Sequence, residues 1–185
     1  MTKKVLLQTG ASLVYFFYPF LIYLGLKELQ PLWFALFLVL LVGLRLSVWP
    51  SEKKLGFCWI TVALVVLCIT YATGSSIGLY LYPVLVSLLF FMVFFISLYR
   101  PPPIVERIAR RIHTNLSPAA IQYTRTVNKV WCTFFFLNAI CSYFSLQISE
   151  QWWLLYNGFI SYCFMGVLFT SEYVVRQHVM RRHDA

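Results

Sequence analysis

The segment "IGLYLYPVLVSLLFFMVFFISLYRPPPIVERIARR", residues 77 to 111, decides the fold of this chain. Residues 77–99 contain no charged side chain, whereas residues 100–111 combine three prolines with four arginines and one glutamate. A bilayer core about 30 Å thick needs about 20 helical residues to cross it, and backbone groups in lipid must be bonded within their own helix. The apolar part therefore predicts a transmembrane helix, and the basic part marks the side of the membrane where it ends.

The composition of the whole chain agrees with this interpretation. Its 185 residues are 61% hydrophobic and 11% charged, with a mean hydropathy of +0.76. Water-soluble domains carry about 25% charged residues, so the chain falls outside that class. The length fits one domain, and we predict a single transmembrane domain over residues 1–185.

Six apolar runs are long enough to cross a bilayer. The first follows "MTKK" and has no small-residue cleavage site after it, so it is interpreted as an uncleaved span. The expected fold is all-α: a polytopic bundle of six transmembrane helices, with a short amphipathic interfacial helix between the fourth and the fifth. The spans lie at about 9–26, 32–49, 55–73, 77–99, 127–148 and 152–175, and the cytoplasmic amphipathic loop at 100–126.

The basic residues predict the orientation of these spans. If the N-terminus is cytoplasmic, 14 of the 15 Lys and Arg residues lie on the inner side, and only Lys27 lies outside. This partition follows the positive-inside rule, with both termini cytoplasmic in a bacterial inner membrane. Topology thus accounts for the net charge of +9, and nucleic-acid binding is not expected. The inner residues are Lys3, Lys4, Arg45, Lys53, Lys54, Arg100, Arg107, Arg110, Arg111, Arg125, Lys129, Arg176, Arg181 and Arg182.

The loop at 100–126 has a helical pattern after its prolines. Ile104, Ile108 and Ile112 recur every four residues, and Glu106 shares the opposite face with three arginines. A short basic amphipathic helix of this kind is expected to lie in the membrane interface and anchor there on anionic inner-leaflet lipids. Alternatively, its arginines also bind a lipid headgroup or an acidic protein partner. The candidate binding residues are Arg107, Arg110 and Arg111.

The polar candidates within or at the ends of the predicted spans are Asn138, Asn157, Glu172 and Arg45. Asn138 and Asn157 are each expected to hydrogen-bond a neighbouring helix, although a role in lining a substrate path stays open. Glu172 and Arg176 are four residues apart, a spacing that predicts an interfacial ion pair. Arg45 is expected to extend its side chain to the same interface.

The sequence contains no recognisable catalytic or metal-binding pattern. The five cysteines lie inside apolar runs without a CxxC pair, so we expect them to be small buried residues. His178 and His183 lack the spacing of a helical metal pair, and His113 stands apart from both. No hydrolase triad, HExxH or phosphate-loop motif is present. We therefore assign no catalytic residue, metal or cofactor.

Three segments of the C-terminal half carry a resemblance to a known family. They are "RPPPIVERIARR" at 100–111, "LSPAAIQYTRTVNKVWCTFFFLN" at 116–138 and "WLLYNGFISYCFMGVLFTSEYVVR" at 153–176. Together they resemble a family of small bacterial inner-membrane proteins with no established activity. Its members are encoded beside fatty-acid-like synthases of the aryl-polyene type, which include acyl carrier proteins, ketosynthases, acyltransferases and a lipid exporter.

This resemblance implies a setting in lipid or polyene synthesis. The function that we expect is a non-enzymatic accessory protein that holds or recruits the synthesis apparatus at the inner membrane. Acyl carrier proteins are acidic and the cytoplasmic face is basic, so an acyl carrier protein or another synthase component is the expected partner. Two alternatives stay open: a component of a transporter or flippase for a lipidic product, and a membrane-embedded acyl-transfer enzyme.

Overall fold

The computed structural model describes residues 20, 23–24, 30–48, 53–112 and 117–181, with the backbone alone at 41, 44–48, 53–58, 112 and 177–181. These residues are almost entirely helical, and no strand occurs among them. The first predicted span, 9–26, lies outside the described residues except for positions 20, 23 and 24. In chain order the α-helices are α1 (Pro31–Val48), α2 (Lys53–Thr73), α3 (Ile77–Tyr99), α4 (Ile104–Ile112), α5 (Pro118–Ile148), α6 (Glu150–Leu155) and α7 (Ser161–Arg181).

Helices α2 and α3 are separated by a turn that the local sequence explains. Gly74 has a φ of +59°, a left-handed conformation that ends α2 and that side chains with a Cβ adopt rarely. The Thr73 hydroxyl donates to the Ile69 carbonyl and accepts from the Ser75 hydroxyl. The Ser75 hydroxyl oxygen in turn accepts the Ile77 N–H at 3.4 Å, one of the first N–H groups of α3, which have no partner within that helix.

Helix α5 begins nine residues earlier than the span predicted at 127–148. The Ser117 hydroxyl accepts a hydrogen bond from the Ala120 N–H, and Pro118 occupies the first helical position, so the helix starts with a regular cap. Its 31 residues extend about 46 Å, which is longer than a bilayer core is thick. Residues 118–126 of the expected cytoplasmic loop are therefore helical and continuous with the predicted span. Hydropathy predicts where a helix enters lipid, whereas capping decides where it begins.

The sixth predicted span, 152–175, consists of several helical segments. Ser149 caps α6 by accepting the Trp152 N–H, and a π-helical turn at Tyr156–Ile160 joins α6 to α7. The wider turn includes the buried residues Asn157 and Gly158. Added to Gly158, a Cβ atom would stand 2.9 Å from the Phe20 ring, so this position is closely packed.

Among the described residues, three helices are long and apolar enough to cross a membrane. They are Ile77–Tyr99, Pro118–Ile148 and the combined helix Glu150–Arg176. Two shorter apolar helical stretches, Pro31–Leu40 and Trp59–Thr73, lie within the second and third predicted spans. The chain is thus an all-helical protein with membrane-like helices, as predicted.

The chain divides into two compact units, of which the first is Met1–Val86 with Ser142–Phe159. In this unit α1 packs against α2, and α2 approaches the start of α3 closely. A Cβ atom added to Gly78 would stand 2.6 Å from the Val66 carbonyl oxygen, which explains the glycine there. The Trp153 indole N–H donates to the Tyr80 carbonyl at 3.0 Å. This bond joins Trp153 to α3 about one turn before Pro83, which lies inside the helix and has no backbone N–H to donate.

The second unit is Ser87–Cys141 with Ile160–Ala185, and its core is aromatic. Val127, Trp131 and Phe135 of α5 form the buried cluster. Phe90 of α3 stacks on Phe135 at a centroid distance of 5.0 Å, and Phe169 of α7 contacts Trp131 at 4.6 Å. Rings in such offset and tilted arrangements contribute dispersion and quadrupole attraction beyond the area that they bury.

The surface of the described helices is more apolar than that of a soluble protein, and their interior includes small polar residues beside the apolar core. Large apolar side chains are exposed along α3, α5 and α7, including Phe95, Phe144 and Phe169. The described interior, in contrast, holds small polar residues such as Ser87 and Ser142. Soluble monomers do not expose apolar surface on this scale, whereas lipid solvates it, and small polar residues bond neighbouring helices in membranes. This pattern supports a membrane protein.

Candidate functional site

Asn128 of α5 organises the polar site of the second unit. It is fully buried, and its Nδ2 donates to the Phe94 carbonyl of α3 at 3.0 Å and to the Ser97 hydroxyl oxygen at 3.3 Å. Its Oδ1 accepts the Val105 N–H of α4 at 3.4 Å. A single side chain therefore joins three helices at the point where the chain turns from α3 into α4.

Asn128 and Ser97 together cap helix α4. The first N–H groups of a helix have no partner within the helix, and Pro103, which precedes α4, has no side chain that accepts a hydrogen bond. The Ile104 N–H donates to the Ser97 hydroxyl oxygen at 3.4 Å, while the Val105 N–H uses Asn128. The cap thus comes from other helices, and α4 is held against α3 and α5.

We did not predict Asn128 from the sequence, although it lies at the start of the fifth predicted span, 127–148. A signal was nevertheless present, since a helix that follows three prolines needs acceptors from elsewhere in the chain. The amide side chain of Asn128 can meet this need because it both donates and accepts.

Arg107 stabilises the turn between α3 and α4. Its Nε donates to the Pro102 carbonyl at 2.6 Å and its Nη2 to the Arg100 carbonyl at 3.2 Å. Because prolines have no N–H group, this turn offers few backbone donors, and the guanidinium supplies two. Three of the five N–H donors of Arg107 are not used in these two bonds.

The expected faces of α4 are wrong in one respect, since Glu106 does not share an exposed face with the arginines. It is buried, with 6% of its surface exposed, and its carboxylate accepts from Arg110 in an ion pair of 2.7 Å. The neighbouring Val105 packs against the aromatic core, which brings Glu106 into the protein. Ile108 is instead more than half exposed. Val105 and Glu106 thus lie on the side of α4 that contacts the rest of the protein, whereas Ile108 lies on an exposed side, where lipid is expected.

Most of the positive charge in this region has no acidic counterpart nearby in sequence. Residues 98–129 contain six Lys and Arg residues and one acid, Glu106, which is paired with Arg110. Arg100, Arg111, Arg125 and Lys129 are all exposed. We refer to these four side chains as the basic surface. Of the three predicted binding residues, only Arg111 belongs to it, because Arg107 and Arg110 also have structural partners.

Two clefts lie beside the basic surface. One, of about 620 Å³, is bounded by Leu98 and Tyr99 at the end of α3 and by the first turns of α5. The other, of about 510 Å³, lies between the prolines, Glu106 and α5. Arg125 lines both clefts. This region of the second unit can therefore accommodate an anionic group beside an apolar wall.

Both intramembrane asparagines bond other helical segments, as expected. Asn138 Nδ2 donates to the Ser87 hydroxyl oxygen of α3 at 2.9 Å, and its Oδ1 accepts from Ser161 of α7 at 2.8 Å. In the first unit, Asn157 accepts from the Ser142 hydroxyl at 2.7 Å and donates to the Trp153 carbonyl at 3.0 Å. Asn138 and Asn157 thus each have hydrogen-bond partners within their own compact unit.

The expected ion pair between Glu172 and Arg176 is not formed: within the part of the chain that the structure describes, no contact below 4 Å joins their charged groups. The Glu172 backbone carbonyl accepts the Tyr123 hydroxyl at 3.2 Å, which joins α7 to the start of α5. Helical spacing brings two side chains within reach of each other, but their rotamers decide whether they meet. Arg45 lies in α1, and its side chain is outside the described residues.

The cysteines differ in exposure. Cys132 is buried, as expected, whereas Cys68, Cys141 and Cys163 are exposed, so the expectation of burial is wrong for these three. On helices this apolar, an exposed thiol is compatible with a lipid-facing position. In the ranges that the structure describes, no group of three His, Cys, Asp or Glu residues is arranged to hold a metal ion.

Comparison of the chain with protein-family models, with curated proteins and with solved structures found no significant match.

Proposed function

We propose that this chain is a six-span bacterial inner-membrane protein, with both termini cytoplasmic, that holds an acidic component of a lipid- or polyene-synthesis apparatus at the membrane without catalysing a reaction itself. The described helices and the inner-side concentration of 14 of the 15 Lys and Arg residues support the membrane assignment. In this proposal α4 lies in the cytoplasmic interface, with Ile108 toward lipid.

The observation that carries the docking proposal is the combination of a fixed α4 with exposed positive charge. Ser97 and Asn128 accept hydrogen bonds from the first N–H groups of α4 and hold this helix in one position. The positions of Arg100, in the turn before this helix, and of Arg111, in its last turn, are therefore fixed before a partner binds. Preorganisation lowers the entropy that binding would otherwise cost. Positive charge presented in this way attracts an acidic partner and guides its approach.

The resemblance of residues 98–176 to a family encoded beside aryl-polyene synthases suggests the partner. An acyl carrier protein is small and acidic, and it must bring its acyl chain to membrane-bound enzymes or exporters. A basic surface at the inner face of the membrane is complementary to it in charge. We therefore propose an acyl carrier protein, or another acidic component of the synthase, as the docked partner.

The hydrogen bonds of the two intramembrane asparagines favour this proposal over the transporter alternative. A residue that lines a substrate path needs polar atoms directed into that path. Asn138 and Asn157 direct theirs to serines and to a backbone carbonyl, which is typical of interhelical stabilisation.

The test is co-purification of the partner from native membranes at unchanged expression. Arg100→Gln with Arg111→Gln removes two charges and neither contact of Arg107 to the turn, so the partner should be lost while the fold is kept. Arg100→Lys with Arg111→Lys retains both charges and is the matched control. Salt should act like the Gln pair, because exposed charges are screened over a Debye length of about 8 Å at physiological ionic strength. Retention of acidic partners by the Gln pair would contradict docking at this surface.

A further inference from the structure

We infer that the larger cleft, between the end of α3 and the first turns of α5, binds the phosphate-containing headgroup of an anionic phospholipid, with Arg125 and Lys129 as the binding cations. This inference depends on the membrane-spanning part of the proposed function. It uses Arg125 and Lys129 of the basic surface, whereas partner docking is tested through Arg100 and Arg111. The cleft lies wholly within the second unit.

The two cations are placed to act on one ligand. Arg125 and Lys129 are four residues apart on α5, which puts both on one helix face about 6 Å apart along the axis. Both line the cleft, both are exposed, and the lining contains no acidic residue. An arginine can bind two phosphate oxygens at once, and a lysine adds a compact charge. Gln122 lines the same cleft and offers a neutral donor.

The depth of the cleft relative to the apolar segments favours a lipid over a soluble anion. Residues 77–99 of α3 and 130–148 of α5 contain no charged side chain, so the uncharged segments of both helices end at the cleft. Its walls include Leu98, Tyr99 and Ile121, which suit a glycerol backbone and the upper part of an acyl chain. A phospholipid that lies along these helices would thus have its phosphate at the level of the two cations. Basic pockets between spans on the inner side are a recognised form of lipid site.

The size of the cleft also fits this ligand class. Its volume of about 620 Å³ is within the usual range for small-molecule sites, about 300–1,000 Å³. One headgroup with its glycerol occupies part of such a volume, and the remainder can hold ordered water or the start of a chain.

The experiment is native mass spectrometry of the full-length protein in detergent, titrated with phosphatidylglycerol or phosphatidylcholine of identical chains. The wild type should retain phosphatidylglycerol at least about tenfold more tightly, because two cations contribute near the surface. Arg125→Gln with Lys129→Gln should remove this preference. The control pair, Arg100→Gln with Arg111→Gln, removes the same charge outside the cleft and should keep it. Equal retention of the two lipids by the wild type, or equal loss in both pairs, would overturn the site.

Two further arms separate the remaining explanations. Inorganic phosphate at millimolar concentration should not displace the bound lipid, and if it does, the cleft is an anion site and not a lipid site. Should the Arg125 and Lys129 pair fail to fold, Gln122→Glu places a carboxylate in the cleft without removing a cation. This variant should lower phosphatidylglycerol retention several-fold, and unchanged retention would refute the inference. The two Gln pairs also distinguish the lipid site from partner docking. The Arg125 and Lys129 pair should lose the lipid preference, whereas the Arg100 and Arg111 pair should lose the acidic partner and keep the lipid preference.

Discussion

Asn128 fixes the arrangement of the chain at the point where α3 turns into α4. Three helical segments depend on it or on Ser97, namely the end of α3, the start of α4 and α5 itself. An amide can do this because it both donates and accepts, and because it is buried where water cannot compete.

Replacing Asn128 should therefore destabilise the protein more than its position near the membrane surface suggests. Asn128→Leu keeps the volume but leaves the Val105 N–H without its acceptor, so we expect the free energy of unfolding to fall by about 1–3 kcal/mol. Thermal or denaturant unfolding in detergent measures this loss. Gln147→Leu changes an exposed amide of the same helix and should alter stability by less than about 0.5 kcal/mol. Equal effects of the two variants would show that the Asn128 bonds contribute little.

At the scale of the element, α4 is a short helix whose three sides have different surroundings. Val105 packs on the aromatic core, Arg111 is exposed, and Ile108 projects away from the protein. A helix of nine residues is not stable in isolation, so its position depends on the cap and on the Val105 contact.

This division of sides makes Val105 and Ile108 a matched pair for mutation. Val105→Ser should weaken the packing of α4 by about 1 kcal/mol and so raise tryptic cleavage at its arginines about fivefold, since cleavage follows the population of the opened helix. Ile108→Ser removes a similar apolar group from the outer side and should change cleavage little in detergent. Limited trypsinolysis followed by mass spectrometry compares them directly. A larger effect for Ile108 than for Val105 would mean that α4 turns its other side to the protein.

At the scale of the whole chain, two properties suit a membrane protein. They are the exposed apolar surface and the hydrogen bonds between buried polar side chains. Hydrogen bonds such as Asn138 with Ser87 join helices where apolar packing alone provides little specificity, because lipid is as apolar as the helices themselves. The orientation in the membrane follows from charge, and it is a separate prediction.

Cysteine labelling tests the proposed topology. In a variant whose native cysteines are replaced by alanine, single cysteines at Ser75 and Glu150 should react with an impermeant maleimide in sealed cells. Cysteines at Lys53, Thr114 and Arg181 should react only after the membrane is opened, because the basic segments are expected inside. Labelling at Thr114 in sealed cells would reverse the orientation and with it the proposed docking to cytoplasmic partners.

The sequence by itself determined that the chain is helical and where several helices lie, including the end of the third span at Thr73. These features are local: a long uncharged run in lipid must satisfy its backbone within one helix, and Gly74 acts within its own turn. The existence of α4 also followed from a local pattern, namely isoleucines every four residues after the prolines.

Only the tertiary structure decided which side of each helix contacts protein. In a soluble protein the apolar side of a helix faces the core, but lipid accepts apolar side chains equally well, so periodicity loses this information in a membrane chain. For this reason the sequence indicated neither the burial of Glu106 nor the partners of Asn128. It assigned Arg107 and Arg110 to anchoring at the interface or to binding, and it indicated no partner for them within the protein. Those positions depend on how α3, α4 and α5 pack, and this packing brings together residues that are far apart in the chain.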